Sequence, residues 1–477
     1  MKAIITAMLM LATLGATAQH EQIHIFRNDG KHFNSFKATE IEKIEHSTAD
    51  YMVVTATDGY VTNIHMPSID SVLTRTTGVP EFYVNLNDYP QWTDLLKDAT
   101  HTKSTVYAAT LSMKGNGMFD DLPEQQVEFR GRGNSTWNME KTPYRFKMEK
   151  KVSVCGLPKA KSFALIANYI DCTLMRNAIA FRIAQMLGLP FTNHSIPVHV
   201  YFNGIFKGAY MLTEKVGTGS GSVDIDENTG IMFELDTNYD EDFKFTYRWG
   251  DSKRLPVMVK DPDLAEIVAD KGILADEYFN TWKEDFTRMA DAVTQTPVTG
   301  SLSSVIDLDQ AASYFLVQCI TANREMEHPK SLYLHKENLD DVYHFGPVWD
   351  FDWAYTFHNG ETVVPERPLI EKDGKQSGGS FVKLIFANEE FRQIFKAKLD
   401  RFIAEDYPRL RAYMDEYASL IEPSAKQNGL LWPNNRSSSY ARVVTSTFNF
   451  RQNYTALCDW LDRRISYMQS HPNFGLY

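Results

Sequence analysis

Apolar and polar positions alternate through much of the first half of the chain and recur at helical spacing through most of the second. Ile23 to Phe26 runs into the turn Asn28-Asp29-Gly30, Tyr51 to Ala56 is β-branched and aromatic, and Asp58-Gly59 leads into Tyr60 to His65. Short strands with this turn chemistry predict a small β module. Within it, Ile41-Glu42-Lys43-Ile44 and Ile69-Asp70-Ser71-Val72 echo each other as a short repeat. Gly78-Val79-Pro80 marks a boundary, and strands are predicted beyond it, among them Val127–Arg130 and Tyr144–Met148. Period-two alternation puts Arg145 and Lys147 on one face of the latter. Met175, Ile179, Ile183 and Met186 predict a helix over 173–187, stopped by Gly188. Asn203-Gly204 between apolar runs predicts a hairpin, and Gly217 to Ser222 reads as a flexible joint. After it come a strand at Gly230–Asp236, helical spacing over 263–320 and a strand pair at Leu332–His335 and His344–Trp349. Two helical stripes follow, Phe391, Ile394, Phe395, Leu399, Phe402 and Tyr454, Leu457, Leu461, Ile465, Met468, both expected to be core faces. The fold class expected is α+β, with a β module at 19–79, a β-rich part at 80–222 and a helix-rich part at 223–477.

Composition narrows the partners. The 477 residues are 43% hydrophobic and carry 61 acidic against 49 basic side chains. That is too apolar for a disordered chain, and a net charge of −12 disfavours a nucleic-acid partner. Lys2, the apolar stretch Ala3–Leu14 and the small-x-small site Ala16-Thr17-Ala18 read as a signal peptide over 1–18. Export to the periplasm, cell surface or medium is therefore expected, with Gln19 first in the mature chain and no transmembrane segment. Cys155, Cys172, Cys319 and Cys458 are widely spaced, without a CxxC pair, so neither a zinc site nor an essential disulfide is expected.

Three stretches carry candidate chemistry. In Arg130-Gly131-Arg132-Gly133-Asn134-Ser135-Thr136-Trp137, closely spaced glycines let backbone N–H groups approach phosphate oxygens, and a lysine on the next strand can reach them. The same pattern also suits a plain glycine turn beside a solvated basic face. In Asp350-Phe351-Asp352, two acids at i and i+2 on a strand end point the same way and suit one divalent cation; their aromatic surroundings make burial without a cation or base costly. Asn323 to Ser331 is a polar loop that can supply a general base, or be merely exposed. GxSxG and GxxxxGKS signatures are missing from the sequence.

Five separated blocks, in order, resemble the CotH-type (spore-coat protein H) atypical kinase family. They are Arg130–Trp137, Lys141-Thr142-Pro143-Tyr144-Arg145-Phe146-Lys147, Ser162–Gly188, Tyr201–Lys215 and Pro347-Val348-Trp349-Asp350-Phe351-Asp352. The resemblance covers roughly residues 80 to 470 and leaves the N-terminal module outside. It implies a bilobal atypical protein-kinase-like fold, with a β-rich first lobe and a helix-rich second lobe, and phosphoryl transfer from ATP with Mg2+ or Mn2+ to protein serines. Carried onto this chain, it implies cofactor contacts from Lys147, Gly131, Gly133, Arg176, Glu214 and Lys215. Asp350 and Asp352 would hold the metal, and Asp350, Glu325 and Glu327 would be catalytic. Two departures stand out. The helix at 173–187 has no Asp or Glu, and the family's Asp with an Asn five residues on is replaced by the stretch Glu325–Ser331. Two functions follow: an exported phosphotransferase acting on a protein acceptor, or a non-catalytic kinase-like binding or surface protein that has lost transfer.

Overall fold

The computed structural model describes residues 22–86, 100–264, 275–295, 301–370, 377–432 and 450–471, apart from 28–32, 38–40, 48–49, 58, 60, 76–78, 117, 227 and 359–360. The signal-peptide reading, the turn at 28–30, the glycine at 78 and the helical spacing over 265–274 lie outside the described residues.

The chain is a mixed α+β protein with an N-terminal β region. Strands β1 (Gln22–Arg27), β2 (Phe33–Lys37), β3 (Ile41–His46), β4 (Tyr51–Ala56), β5 (Val61–His65) and β6 (Ile69–Arg75) form two three-stranded sheets, ordered β2-β1-β6 and β3-β4-β5. Their shared core is small, built on Ile23, Ile25, Met52, Val54 and Ile64.

Next come β7 (Glu81–Leu86), β8 (Tyr107–Lys114), β9 (Leu122–Gly131), β10 (Tyr144–Val152), β11 (Ala160–Ile166), β12 (Ile196–Phe202) and β13 (Ile205–Glu214). They close a barrel in the order β10-β11-β13-β12-β7-β8-β9, which leaves no free sheet edge. The β12–β13 hairpin turns at Asn203 and Gly204, both at positive φ (48° and 78°), as a two-residue Asn-Gly turn requires. Along β10, Tyr144, Phe146 and Met148 fill the barrel, while Arg145 is half-buried and Lys147 exposed on the opposite face.

A second, larger core begins with helix α1 (Arg176–Met186), which ends at Gly188 (φ 71°). Met175, Ile179 and Ile183 pack into this core and not into the barrel, although α1 lies between two barrel strands in sequence. The Gly217–Ser222 stretch is a compact turn held by Gly219 N–H to Val223 O (2.7 Å), with Val223 fully buried. A five-stranded sheet follows, β15-β16-β14-β17-β18, from β14 (Ile231–Leu235), β15 (Lys244–Trp249), β16 (Lys253–Asp261), β17 (Leu332–Lys336) and β18 (His344–Phe345). Around it lie α2 (Ala275–Thr294), α3 (Leu308–Thr321), α4 (Ser377–Ala387), α5 (Glu389–Arg401), α6 (Tyr407–Leu431) and α7 (Phe450–Ser470). Both C-terminal stripes are core faces, with only Ile394 left partly buried.

The strand expected at His344–Trp349 stops at Phe345. Pro347 has no N–H to offer a ladder, and Asp350 adopts a left-handed φ of 62°. The two acids therefore sit on a bend, not on a strand end. All four cysteines are buried and outside any disulfide, and no helix among the described residues is long and apolar enough to cross a membrane. Helix α6 touches β2 and β5 of the N-terminal module and β13 of the barrel, and Thr62 and Ser419 share a hydrogen bond of 2.8 Å.

Candidate functional site

A cleft of about 540 Å³ opens where the barrel meets the larger core. Its barrel side is cationic. β9 ends in Arg130 and Gly131, β10 contributes Arg145, and Lys215 follows β13; all four line the cleft. Arg130, Arg145 and Lys215 make no ion pair with a carboxylate within 4.0 Å among the described residues. Arg145 donates to Ser162 Oγ at 3.2 Å, but its Nε is buried without a hydrogen-bond partner. Burial, then the neighbouring Arg130 and Arg132, push the Arg145 pKa down to about 10. Burial and Arg145 lower that of Lys215 as well. Like charges gathered in a concave, partly dry place favour an anion.

The glycine turn has its own steric logic. A Cβ on Gly131 would lie 1.9 Å from Cζ3 of Trp137, so the missing side chain is the seat of the indole ring. Gly133 sits at φ 84°, a conformation that favours glycine. Between them, Arg132 reaches across the cleft and stacks its guanidinium over the Trp349 ring, 5.1 Å from the centroid.

The opposite side is acidic. Asp350, Asp352 and Glu325 all line the cleft. Burial raises the pKa of Asp350, opposed by Arg132 and Lys330. It also raises that of Asp352, with Asp350 and Asp171 adding to it, and that of Glu325, where Asp350 again adds. Glu325 stands on a short 3-10 turn whose Asn323 cap accepts from the Glu325 N–H at 3.2 Å. That turn begins where α3 ends, at Ala322 in a left-handed conformation. Nearby, Asp236 accepts from the Ser331 N–H at 3.2 Å, and Glu234 is neutralised by Lys260 at 2.8 Å.

The acidic bend is anchored by α1. Arg176 donates to the main-chain oxygen of Asp352 (2.7 Å) and to Thr356 Oγ1 (3.0 Å), and its Nε lies 3.6 Å from Asp171. Asn177 accepts from the Phe351 N–H at 2.9 Å and donates to the Asp352 carboxylate.

Of the residues expected at the site, Gly131, Gly133, Lys215, Glu325, Asp350 and Asp352 lie in this one cleft. Four do not line it. Lys147 is exposed, opposite Ser162 and Glu128 in the sheet; it shares a face with Arg145 but sits two residues farther along β10, and Arg145 is the one that lines the cleft. Glu214 faces away from Lys215, as strand alternation requires, and accepts from the His194 N–H at 2.9 Å. Arg176 is committed to Asp352 O, Thr356 and Asp171. Glu327 pairs with Arg324 at 3.1 Å. Sequence reading passed over Asn177 and Lys330. The signal for Asn177 was its place beside Arg176 at a helix start, which has no chemical signature until the Asp350 bend is seen against it.

Among the described residues, no group of three or more His, Cys, Asp or Glu side chains is placed to hold a metal ion by itself. Two carboxylates with hard oxygen donors fit Mg2+ or Mn2+ when phosphate oxygens and water complete the shell, and do not fit an all-protein cage. No curated protein matches the sequence. The family model described as CotH kinase protein matches residues 128–468, from β9 into α7 and across every cleft element named above. The chain belongs to the CotH kinase family.

Proposed function

We propose that the cleft binds ATP with Mg2+ or Mn2+ and transfers the terminal phosphoryl group to a serine-type hydroxyl of a protein acceptor. One observation carries this reading: cations without carboxylate partners, Arg130, Arg145 and Lys215, share a cleft with three acids, Asp350, Asp352 and Glu325, the last two buried. Phosphoryl transfer needs those two sets of charge, one on the phosphates and one on the metal and nucleophile. In this reading the barrel and the helix-rich body are the two lobes of an atypical protein-kinase-like fold.

Arg130, Arg145 and Lys215 orient and neutralise the phosphates. Gly131 and Gly133 shape the turn beside them. Asp350 and Asp352 hold the divalent ion, which draws charge from the phosphate oxygens when bound. Glu325 accepts the proton of the acceptor hydroxyl as that oxygen forms its bond to phosphorus and the bond to the leaving ADP oxygen breaks. Its raised pKa suits a base working near neutral pH. The charged and apolar start of the chain supports export, so the acceptor or surface partner is met outside the cytoplasm. A mature N-terminus at Gln19, read by mass spectrometry, tests that part.

A second reading, a non-catalytic binding protein, has one observation in its favour. Helix α1 carries no acid to pair with a cleft lysine. Incubation of the mature protein with labelled ATP and Mg2+ separates the two, with phosphate followed on the protein and on casein-like acceptors. Transfer that Glu325→Gln abolishes while nucleotide binding survives supports the kinase reading. Nucleotide binding with no transfer to any acceptor supports the other.

A further inference from the structure

We propose that Asn177 is a positioning residue, whose side-chain amide clips the Asp350–Asp352 bend into the shape that holds a divalent cation; this rests on the cation reading of the cleft. Asp350 has a left-handed φ of 62°, a conformation uncommon for non-glycine residues but one that aspartate visits more readily than most. The next residue, Phe351, is fully buried, so its N–H has no water to turn to and needs a protein acceptor. Asn177 Oδ1 is that acceptor, at 2.9 Å.

The other end of the same amide is also spoken for. Nδ2 donates to Asp352 Oδ1 and, at 3.1 Å, to Asn168 Oδ1. Rotating the amide by half a turn would set its oxygen against a carboxylate and its N–H groups against the Phe351 N–H, so only one orientation is satisfied. One side chain thereby fixes the backbone between the two acids and one oxygen of the second. With its oxygen on the Phe351 N–H and its NH2 on the Asp352 carboxylate, the residue acts through the bend.

The clip has a firm base. Asn177 is 3% exposed, on the first turn of α1. Asp171 accepts from the backbone N–H groups of Arg176 and Thr173, each at 2.8 Å, and so caps that turn. Neighbouring Arg176 holds Asp352 O at 2.7 Å, so two successive residues of one helix grip the bend from different sides. Hydrogen-bond partners of this kind orient the ligands of a metal and set its affinity.

Two measurements on Asn177→Ala test this. The first is calorimetry of a non-hydrolysable ATP analogue with and without Mn2+. The Mn2+-dependent gain in affinity should fall by about tenfold or more, while affinity without metal changes less than about twofold. A wild-type gain that Asn177→Ala retains in full overturns the proposal; a wild type that binds no analogue refutes the nucleotide reading instead. The second needs no ligand: amide exchange across 349–353 should quicken by about tenfold or more in Asn177→Ala. Equal exchange at Phe351 in the wild type and Asn177→Ala overturns the proposal whatever the ligand results.

Discussion

Replacing Gly131 with alanine adds one carbon at a place already filled. That carbon would stand 1.9, 2.4 and 2.9 Å from Cζ3, Cε3 and Cη2 of Trp137, a ring that is 8% exposed in the barrel core. Either the indole shifts within its pocket or it leaves. Overpacking of this kind costs about 1–3 kcal/mol, and emptying a tryptophan site costs about 3–5 kcal/mol, so the loss in Gly131→Ala should lie between about 1 and 5 kcal/mol. A thermal midpoint falls by about 2–4 °C for each kcal/mol in a unit of this size. The decisive comparison is a double-mutant cycle with Trp137→Ala. Once the ring is gone the added methyl meets no steric opponent, and Gly131→Ala should then cost less than about 0.5 kcal/mol. Urea midpoints of the four proteins give the coupling. Equal losses from Gly131→Ala in both backgrounds would refute the idea that this glycine exists to seat the indole, and would return it to phosphate approach alone.

Lys215→Ala and Arg145→Ala should each weaken ATP affinity by about tenfold, the scale of one charge-assisted contact, whereas Lys147→Ala should change it less than about twofold; titration of the three variants checks the order, and a dominant Lys147 effect would put the phosphates elsewhere. Glu325, Asp350 and Asp352 all have raised pKa values. Their stabilising share is present below the ordinary carboxylate pKa of about 4 and is lost as pH rises through the raised values. Buried His199 and His335, held neutral with pKa values down to about 4, contribute with the opposite sign, so the comparison is with Glu325→Gln: between about pH 5 and pH 8 the cation-free wild type should lose more of its melting temperature than this variant does. Equal shifts in the two proteins would contradict the raised pKa of Glu325.

Much of the architecture was legible because it rests on local rules. Asn203-Gly204 has one conformation that suits a hairpin, and the stripes Phe391–Phe402 and Tyr454–Met468 have one face to bury. Glycine at 188 ended a helix for the same kind of reason. Six of the residues expected at the site line one cleft, the paired acids and glycines having been singled out by residue type and Lys215 by the family resemblance. Tertiary packing decided the rest. Alternation paired Arg145 with Lys147 but could not say which of the two lies nearer the cleft. Pro347 ended β18 early and put the acids on a bend. Nothing local marks Asn177, whose partners Phe351 and Asp352 are more than 170 positions away in sequence. Helix α1 joined the larger core although its neighbours in sequence are barrel strands, so the division at 222 does not follow the two cores.

Calorimetric titration of ATP into the mature protein, with and without Mg2+ or Mn2+, tests the central claim most directly. The account predicts binding that the divalent ion strengthens, and predicts that Asp350→Asn removes most of that strengthening because an amide no longer opposes the ion's charge. Binding absent at millimolar nucleotide in every condition, or a cation effect that survives Asp350→Asn undiminished, would contradict it.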